Sequence, residues 1–384
     1  MDYDVVVIGS GPAGATAARR AAEGGLRVLL VDKRQELGAP IQCSGAVSAH
    51  ALSDAAIAPD HEIVVCPIYG FAVYDAAGRQ TRLDYRQLKP ADYGDRPLGY
   101  VVDRRRFDRH CMTLAERAGV TVWLKTEALG YTPGGEAGAE VALRQFGQPR
   151  TVRARVVVGA DGIMSQVGKW AGMRTDIRLN ELASCLQYVV DGVETDGLLE
   201  IVTGYDCAPG GYAWVFPKGG GYAEIGLGVI RSVTDVDART HLERFMQSSF
   251  MAERFRNARI LEIQGGGVPL AAPLKQPYAD NLILVGDAAR HVNPITGGGI
   301  HTALRGGVIA GAFLADHLAG GGRLDAAGLA GYHERWRAEL GDALNRIYAI
   351  KRAIFRGRDR AVQDAQLYDA LAGYFHPESA FKKV

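Results

Sequence analysis

Short apolar runs and amphipathic stretches alternate along the first part of the chain. Residues 4–8 form an apolar run of the kind that fills a buried parallel strand, and an alanine-rich helical pattern follows to about residue 23. A second apolar run covers residues 27–31. This strand–helix–strand order predicts an α/β fold whose parallel sheet begins near residue 4.

The pattern changes between about residues 181 and 264, where helical periodicity weakens and aromatic, strand-like runs dominate. Tyr212, Trp214 and Phe216 alternate with smaller apolar residues before Pro217 ends the run. Because side chains along a strand alternate between its two faces, the three rings are expected to project from one face. A partner strand is expected over residues 222–230, so the pattern predicts a second, antiparallel sheet.

Several other segments carry clear periodicity. Strands are expected over residues 63–65, 69–74, 100–102, 120–124, 155–158 and 282–285, with a hairpin arm over 141–154. Helices are expected over residues 104–117, 237–255 and 300–318, and one or two more over 329–355.

A glycine motif joins the first strand to the first helix. Gly9, Gly11 and Gly14 stand in the pattern G-x-G-x-x-G, and Asp32 ends the second strand about twenty residues later. Such glycines allow a tight turn and a close approach to a pyrophosphate, and the acid accepts hydrogen bonds from a ribose. The motif predicts a dinucleotide site, against the alternative of a structural turn in a nucleotide-free domain, and does not separate NAD from FAD.

A second ligand-binding element follows the strand at 282–285. Gly286 and Asp287 come directly after it, and Gly297, Gly298 and Gly299 precede a helix that begins at Ile300. A carboxylate at the carboxyl end of a strand suits sugar-like hydroxyls, and a bare helix N-terminus suits an anion. A reduced flavin offers a ribityl chain and a negatively charged ring edge, so this element favours FAD.

These patterns predict an α/β protein with a Rossmann-type FAD-binding domain, a second antiparallel-sheet substrate domain and a C-terminal helical region. The expected ranges are 1–60, 100–180 and 275–325 for the discontinuous FAD-binding domain, 61–99 and 181–274 for the substrate domain, and 326–384 for the C-terminal helices. A chain of 384 residues is longer than one core usually holds, which agrees with two lobes.

Composition narrows the classes of function. A net charge of +1 gives no reason to expect nucleic-acid binding. The five cysteines show no metal-ligand spacing, so no metal site and a reducing cytoplasm with free thiols are expected. No apolar run is long enough to span a bilayer, so a lipid substrate would come from the membrane surface.

The basic residues near the end of the chain allow two interpretations. Lys351, Arg352 and Arg356 lie beside Ile347 and Ile354. A basic amphipathic helix can lie on anionic lipid, which would make the protein a peripheral membrane protein. The commoner alternative is a terminal helix packed on its own protein with a solvated basic face.

The motifs as a set resemble those of the flavoprotein superfamily of p-hydroxybenzoate hydroxylase-type enzymes and, within it, the geranylgeranyl reductases. The superfamily resemblance rests on G-S-G-P-A-G at 9–14, G-A-D-G-I-M-S at 159–165 and G-D-A-A at 286–289. The narrower resemblance rests on P-I-Q-C-S-G-A-V-S at 40–48, D-R-R-R-F-D at 103–108 and Y-A-W-V-F-P-K at 212–218. It covers about residues 1–310.

The resemblance implies a set of site residues. Cofactor contacts are expected from Gly9, Gly11, Pro12, Ala13, Gly14, Asp32, Lys33, Cys43, Ser44, Gly45, Arg104, Asp161, Gly286, Asp287, Pro294, Gly297, Gly298, Gly299 and Ile300. Cys43 and His291 are the candidate catalytic acids, and Tyr212, Trp214 and Phe216 the candidate substrate wall. The other four cysteines are interpreted as packing residues.

Each candidate has a plain structural alternative. Cys43 could be a small residue packed in a loop, and His291 a structural residue at a helix entry. Arg104 could belong to a solvated basic helix face instead of contacting the FAD pyrophosphate. Asp161 could shape an Asp-Gly turn instead of closing the flavin pocket, and the three rings could be ordinary core.

The activity implied is reduction of isolated C=C bonds in geranylgeranyl or other isoprenoid chains of a lipid, a pigment tail or a quinone. The flavin would supply hydride, one nearby acid a proton, and NADPH or a ferredoxin the electrons. An aromatic hydroxylase of the same superfamily is the main alternative, and a non-catalytic flavin or lipid carrier a second. A halogenase fits less well, because Tyr212 and Phe216 stand where its W-x-W-x-I-P motif would have Trp and Ile.

Overall fold

The computed structural model describes residues 1–379. Its strands, in chain order, are β1 (Tyr3–Ile8), β2 (Val28–Val31), β3 (Ala46–Ser48), β4 (Val64–Ile68), β5 (Gly70–Tyr74), β6 (Gln80–Asp84), β7 (Gly99–Val102), β8 (Thr121–Trp123), β9 (Thr126–Thr132), β10 (Ala139–Gln145), β11 (Gln148–Gly159), β12 (Leu182–Asp191), β13 (Leu198–Thr203), β14 (Tyr212–Pro217), β15 (Tyr222–Ile230), β16 (Arg259–Pro269), β17 (Tyr278–Ala279) and β18 (Leu282–Leu284). Its α-helices are α1 (Pro12–Glu23), α2 (Ala49–Asp54), α3 (Tyr85–Leu88), α4 (Arg104–Arg117), α5 (Gln166–Trp170), α6 (Ala238–Ser248), α7 (Ala252–Phe255), α8 (Ile300–Ala319), α9 (Ala326–Trp336), α10 (Asp342–Ile354) and α11 (Arg360–Tyr374).

The first sheet carries the predicted nucleotide-binding elements. Among the described residues it has the strand order β17-β18-β11-β1-β2-β8, with the β9–β10 hairpin attached to β11. Strands β18, β11, β1, β2 and β8 are parallel, and Ile8, Gly159 and Leu284 lie in register at their carboxyl ends. The predicted α/β class with a Rossmann-type domain is therefore confirmed, and three glycine-containing turns leave the sheet at one edge.

Helices α1 and α8 pack against each other with almost no space between their backbones. A Cβ on Gly307 would lie 2.6 Å from the carbonyl oxygen of Ala13, and one on Gly311 would lie 2.6 Å from that of Ala17. Ala13 lies within the first glycine motif, and α8 follows the second glycine-rich segment. The helix contact therefore holds the two segments together.

The second sheet forms the other lobe. Within residues 1–379 its order is β16-β12-β15-β14-β13-β5-β6, and all its pairs are antiparallel except β13 with β5. Alternate residues of β14 and β15, such as Val215 and Ile225, pack with α6 and α7 in one core cluster. The opposite face carries the aromatic side chains of β14, as the period of two predicts. No individual strands were predicted at β6, β12, β13 and β16.

A small third sheet joins the two lobes. Its order among the described strands is β3-β7-β4, and all pairs are antiparallel. Strand β4 lies within the predicted substrate-domain segment 61–99, yet it pairs with β7 from the predicted FAD-binding segment. The predicted domain boundaries stay a proposal, because this sheet takes strands from both sides.

The C-terminal helices pack on the body of the protein. Ile347 and Ile354 of α10 are buried in the main core, and the Nζ of Lys351 donates a hydrogen bond to the carbonyl oxygen of Leu270 at 2.7 Å. Helix α11 lies within the C-terminal helical region predicted over 326–384, although no separate helix was expected after residue 355. The single helix expected over 237–255 is broken between α6 and α7. Residues 380–384 of the predicted helical region lie outside the described residues. Across the described part of the chain, no helix is long and apolar enough to cross a membrane.

The α1–α8 contact makes a stability prediction. Gly311→Ala should lower the free energy of unfolding by about 1–3 kcal/mol, because its methyl group meets the α1 backbone, which cannot move cheaply. Gly373→Ala in α11 is the matched control, since no described atom lies within 4 Å of its Cβ position. This change should raise the stability by about 0.5–1 kcal/mol. Thermal and urea unfolding measure both, and equal effects of the two changes would contradict the packing argument.

Candidate functional site

A cavity of about 730 Å³ lies between the two lobes. It is lined by the first glycine loop, by the aromatic face of β14, and by residues in or next to α10 and α11. The lining residues from these three regions include Gly11, Pro12, Ala13, Tyr212, Trp214, Phe216, Phe355, Leu367, Tyr374 and Phe375. One space therefore connects the predicted cofactor site with the predicted substrate wall.

The first glycine loop has the conformation that its motif predicts. Gly9 has a φ of +111°, and a Cβ there would lie 2.3 Å from the carbonyl oxygen of Ala160. A Cβ on Gly14 would lie 2.0 Å from the carbonyl oxygen of Gly9, whereas no described atom lies within 4 Å of the Cβ position of Gly11. Gly11 therefore leaves its backbone open to the cavity, as a pyrophosphate requires.

The end of β2 carries the predicted ribose acid. The Asp32 carboxylate accepts hydrogen bonds from the backbone N–H groups of Ser10 (2.9 Å) and Arg34 (2.8 Å). It is therefore held beside the glycine loop. Lys33 is exposed and borders a surface groove with Lys125, whereas Arg34 lines the cavity. The sequence analysis missed Arg34, because only the direction of the chain after β2 decides whether Lys33 or Arg34 faces the cavity.

The second glycine segment meets the first. Gly286 has a φ of +63°, and a Cβ there would lie 2.7 Å from the Cβ of Ala13. Asp287 lines the cavity next to it. Burial raises the pKa of Asp287 to about 6, and the opposing charge of Arg104 limits the rise. The carboxylate is thus removed from bulk water and faces the space where the predicted ribityl hydroxyls would lie.

The segment that precedes α8 forms the next part of the cavity wall. Pro294, Gly297, Gly298, Gly299 and Ile300 all line the cavity. Gly299 is the N-terminal cap of this twenty-residue helix and has no side chain to cover the first N–H groups. These groups and the positive end of the helix dipole face the cavity, where they would stabilise negative charge.

Arg104 lies in the cavity wall but has a partner that was not predicted. Its Nε and Nη2 donate to the two carboxylate oxygens of Asp108, each at 3.1 Å. Burial acts to lower the pKa of Arg104, but Asp108 and the Cys43 thiol outweigh it, so the pKa is raised. The guanidinium stays charged beside Cys43, and a contact with the pyrophosphate remains a proposal.

The loop at residues 40–45, named here the Cys43 loop, runs along the cavity. Cys43 and Ser44 line it. Gly45 has a φ of +84°, and a Cβ there would lie 2.2 Å from the carbonyl oxygen of Val102, so the loop sits close against β7. Cys185, interpreted from sequence as a packing residue, also lines the cavity, and burial raises the pKa of its thiol to about 12.

The aromatic face of β14 lies opposite. The ring centroids of Tyr212 and Trp214 are 5.9 Å apart, and those of Trp214 and Phe216 are 6.2 Å apart. Beyond them, Phe71 of β5 stacks on Phe375 at 3.9 Å. The apolar wall thus continues past the three predicted rings to residues that follow α11. Sequence reasoning missed this part, because no local pattern brings residue 375 to β5.

The side chains of two predicted site residues, His291 and Asp161, do not point into the cavity. His291 is fully buried and stacks on Trp336 with ring centroids 3.9 Å apart. Burial, with a smaller effect of His333, lowers its pKa to about 3, so the ring is neutral near pH 7 and is not an imidazolium acid. Asp161 accepts hydrogen bonds from the Ser165 hydroxyl (2.6 Å) and the Val167 N–H (3.0 Å). It holds the start of α5.

The cavity fits FAD. Gly11 leaves room for a pyrophosphate, Asp32 ends β2 as in dinucleotide sites, and the buried Asp287 and the N-terminus of α8 suit the ribityl chain and the ring. Within residues 1–379 no group of three His, Cys, Asp or Glu side chains could hold a metal ion.

Two family models match the chain. The model of the geranylgeranyl reductase catalytic domain matches residues 181–268, and that of the FAD-dependent oxidoreductases matches residues 4–200. The first match covers most of the second sheet and includes the aromatic strand β14. The second covers β1 to β13, and with them the first glycine loop and the Cys43 loop.

Curated relatives align over nearly the whole chain. A digeranylgeranylglycerophospholipid reductase of Methanothrix thermoacetophila is 39% identical over 94% of this chain and 89% of its own length. The enzyme of that name from Methanosarcina acetivorans is 35% identical over 93% and 86%.

Solved structures share the fold. A geranylgeranyl bacteriochlorophyll reductase-like protein of Thermoplasma acidophilum superimposes with a TM-score of 0.87 at 29% identity, covering 98% of this chain and 97% of that one. A flavin-dependent brominase gives 0.72 at 19% identity over 99% and 96% of the two chains, which shows the fold alone. With the site geometry and the relatives together, the chain belongs to the geranylgeranyl reductase family of FAD-dependent oxidoreductases.

Proposed function

We propose that the protein saturates isolated C=C bonds in geranylgeranyl chains, with membrane phospholipids as the substrate class. The observation that carries the proposal is that one cavity joins the cofactor segments to an apolar lining that includes Trp214, Phe216 and Phe375. Relatives 35–39% identical are named for a geranylgeranyl phospholipid, which supports the same class. Pigment tails and quinone side chains share the same isoprenoid chemistry.

An isolated double bond has no carbonyl to polarise it. The site must therefore hold the bond in an apolar space that excludes water. When bound and reduced, FAD supplies the hydride for one carbon of the double bond, and a proton must reach the other. Burying one five-carbon unit contributes about 4 kcal/mol at roughly 0.8 kcal/mol per carbon. The aromatic wall can therefore hold a long chain without polar anchors, which lets successive double bonds reach the same place.

We assign the proton to Cys43. It lines the cavity on the loop that faces the aromatic strand, and the charged Arg104 lies beside it. His291 is not carried forward, because it is buried and neutral. The N–H groups at the start of α8 and the Asp287 carboxylate would hold the cofactor at the other side of the same space.

The lipid would be taken at the membrane surface, with NADPH or a ferredoxin as electron donor. Peripheral contact of this kind would not use the apolar side of α10, because Ile347 and Ile354 are in the core and Lys351 is bonded to Leu270. The basic residues of α10 that remain exposed, such as Arg352, lie on its solvent side.

The activity can be tested directly. The FAD-loaded protein is reduced anaerobically and mixed with a digeranylgeranyl phospholipid. We expect the flavin absorbance to return as the lipid gains one H₂ for each bond saturated. Absorbance and mass spectrometry follow the two changes. Flavin that stays reduced, or an oxygenated product with matching O₂ uptake in air, would contradict the proposal, and the second result would favour the aromatic hydroxylase.

The Cys43 assignment predicts a separate effect. Cys43→Ser should leave the FAD content unchanged and slow turnover by about 10²-fold, the usual contribution of a positioned acid. The control is Cys207→Ala, which removes a thiol buried in the core between the second sheet and α6. Steady-state turnover with the geranylgeranyl substrate measures both, and full activity of Cys43→Ser would remove Cys43 from the mechanism.

The cofactor site predicts a contrast between two aspartates. Asp287→Asn should weaken FAD binding by about 10–100-fold, because a hydrogen bond to a charged group is lost. Because hydroxyl donors favour the ionised carboxylate, wild-type affinity should fall as the pH drops through about 6, and the variant should lose this dependence. Asp161→Asn should reduce stability instead, since Asp161 holds α5. Flavin fluorescence titration measures the affinities, and equal losses for both variants would contradict the assignment.

A further inference from the structure

A buried ion pair lies behind the aromatic wall and has no place in the chemistry above. The Nζ of Lys218 is 2.9 Å from a carboxylate oxygen of Glu224, and the Glu224 side chain is fully buried. Glu224 is on β15, directly across from Phe216 on β14. Its neighbours Ala223 and Ile225 pack toward α6, so Glu224 points to the cavity side of the sheet.

The same lysine reaches across to the other lobe. Its Nζ also donates a hydrogen bond to the carbonyl oxygen of Ser44 at 2.7 Å. Ser44 directly follows Cys43, and 174 residues separate it from Lys218. One ammonium group therefore links the middle of the substrate sheet to the backbone of the Cys43 loop.

The turn that carries Lys218 is itself held in place. The Cys66 thiol donates to the carbonyl oxygen of Pro217 at 3.2 Å. Gly219 has a φ of +67°, and a Cβ there would lie 2.9 Å from the carbonyl oxygen of Val65. The turn is thus packed on β4, which fixes the backbone position of Lys218.

Glu224 also lies on the side of the sheet that carries Trp214 and Phe216. The indole ring of Trp214 lies flat over Gly226, where a Cβ would lie 2.5 Å from two of its atoms. Burial raises the pKa of Glu224, and Lys218 and the Trp214 indole oppose the rise. The carboxylate therefore faces the Lys218 ammonium and lies close enough to Trp214 for the indole to act on its charge.

Stability alone is a weak reason for such a pair. Two buried charges seldom stabilise a fold more than apolar residues of the same size would, because desolvation offsets their attraction. What the pair provides is a fixed distance between the aromatic face of β14 and the Cys43 loop. We propose that Lys218 and Glu224 are positioning residues that set Cys43 against Trp214 and so align the proton donor with the substrate double bond. This inference rests on the proposed function.

The test removes the link without touching the wall or the thiol. Lys218→Met keeps the length of the side chain and removes its ammonium group. In the FAD-loaded protein we expect kcat to fall by about tenfold with KM changed less than about twofold, because misplacing a reacting group affects the chemical step. Alkylation of Cys43 by iodoacetamide, located by peptide mass spectrometry, should become about fivefold faster as the loop loosens. Lys218→Arg should restore most of both values.

A second ion pair in the same sheet is the matched control. Arg254 bonds Glu200 of β13 at 2.7 Å, and Glu200 is also buried. Arg254→Met should lower the thermal midpoint and leave kcat and Cys43 alkylation unchanged. If Lys218→Met behaves in the same way, the pair is only structural and the inference is overturned.

The double variant Lys218→Met/Glu224→Gln covers the case in which the single variant does not fold. It leaves no unpaired buried charge, and it should show the same loss of kcat and the same faster alkylation. Unchanged values in a folded double variant would overturn the inference. The alkylation result does not depend on the substrate: if the wild-type protein reduces no geranylgeranyl chain, the proposed function fails, and alkylation still decides whether Lys218 holds the Cys43 loop.

Discussion

The site depends on the close contact between two glycine-rich segments that lie far apart in the chain. Gly286 meets Ala13 where no larger residue fits, and Gly307 and Gly311 let α8 lie directly on α1. The parallel register of Ile8, Gly159 and Leu284 brings both segments to one edge of the first sheet. Because neither segment alone encloses a cofactor, this contact brings both segments to the same part of the cavity.

The second requirement is the control of charge inside an apolar space. The aromatic wall excludes water, yet three charged side chains lie at the edges of this apolar space. They are Arg104, Asp287 and Glu224. Each is paired or faces the cofactor end: Arg104 with Asp108, Glu224 with Lys218, and Asp287 in the cavity wall near Arg104. A charge left unpaired in such a space would cost several kcal/mol, so the pairs keep the cavity apolar and its edges fixed.

The fold is shared with flavin-dependent halogenases and monooxygenases, and it does not decide the reaction. What differs is the lining beyond the cofactor. Here β14 supplies three rings, and the residues around α11 extend the apolar surface to Phe71 and Phe375. This extended apolar surface suits a flexible isoprenoid chain better than a compact aromatic substrate.

Much of this could be predicted from the sequence, because the relevant signals are local. A strand that ends in a glycine turn places Gly11 and Asp287 at a sheet edge, and alternation along β14 places Trp214 on the face of Phe216. Other features depend on contacts distant in the chain. Asp161 follows a strand just as Asp287 does, but the helix next to it takes its carboxylate. His291 is buried because Trp336 covers it.

The sequence by itself determined the fold class, the cofactor loops and the faces of the strands, since periodicity and glycine chemistry act within a few residues. Only the tertiary structure decided that Cys185 and Phe375 line the cavity and that Lys218 reaches Ser44, since these contacts arise where separately folded surfaces meet.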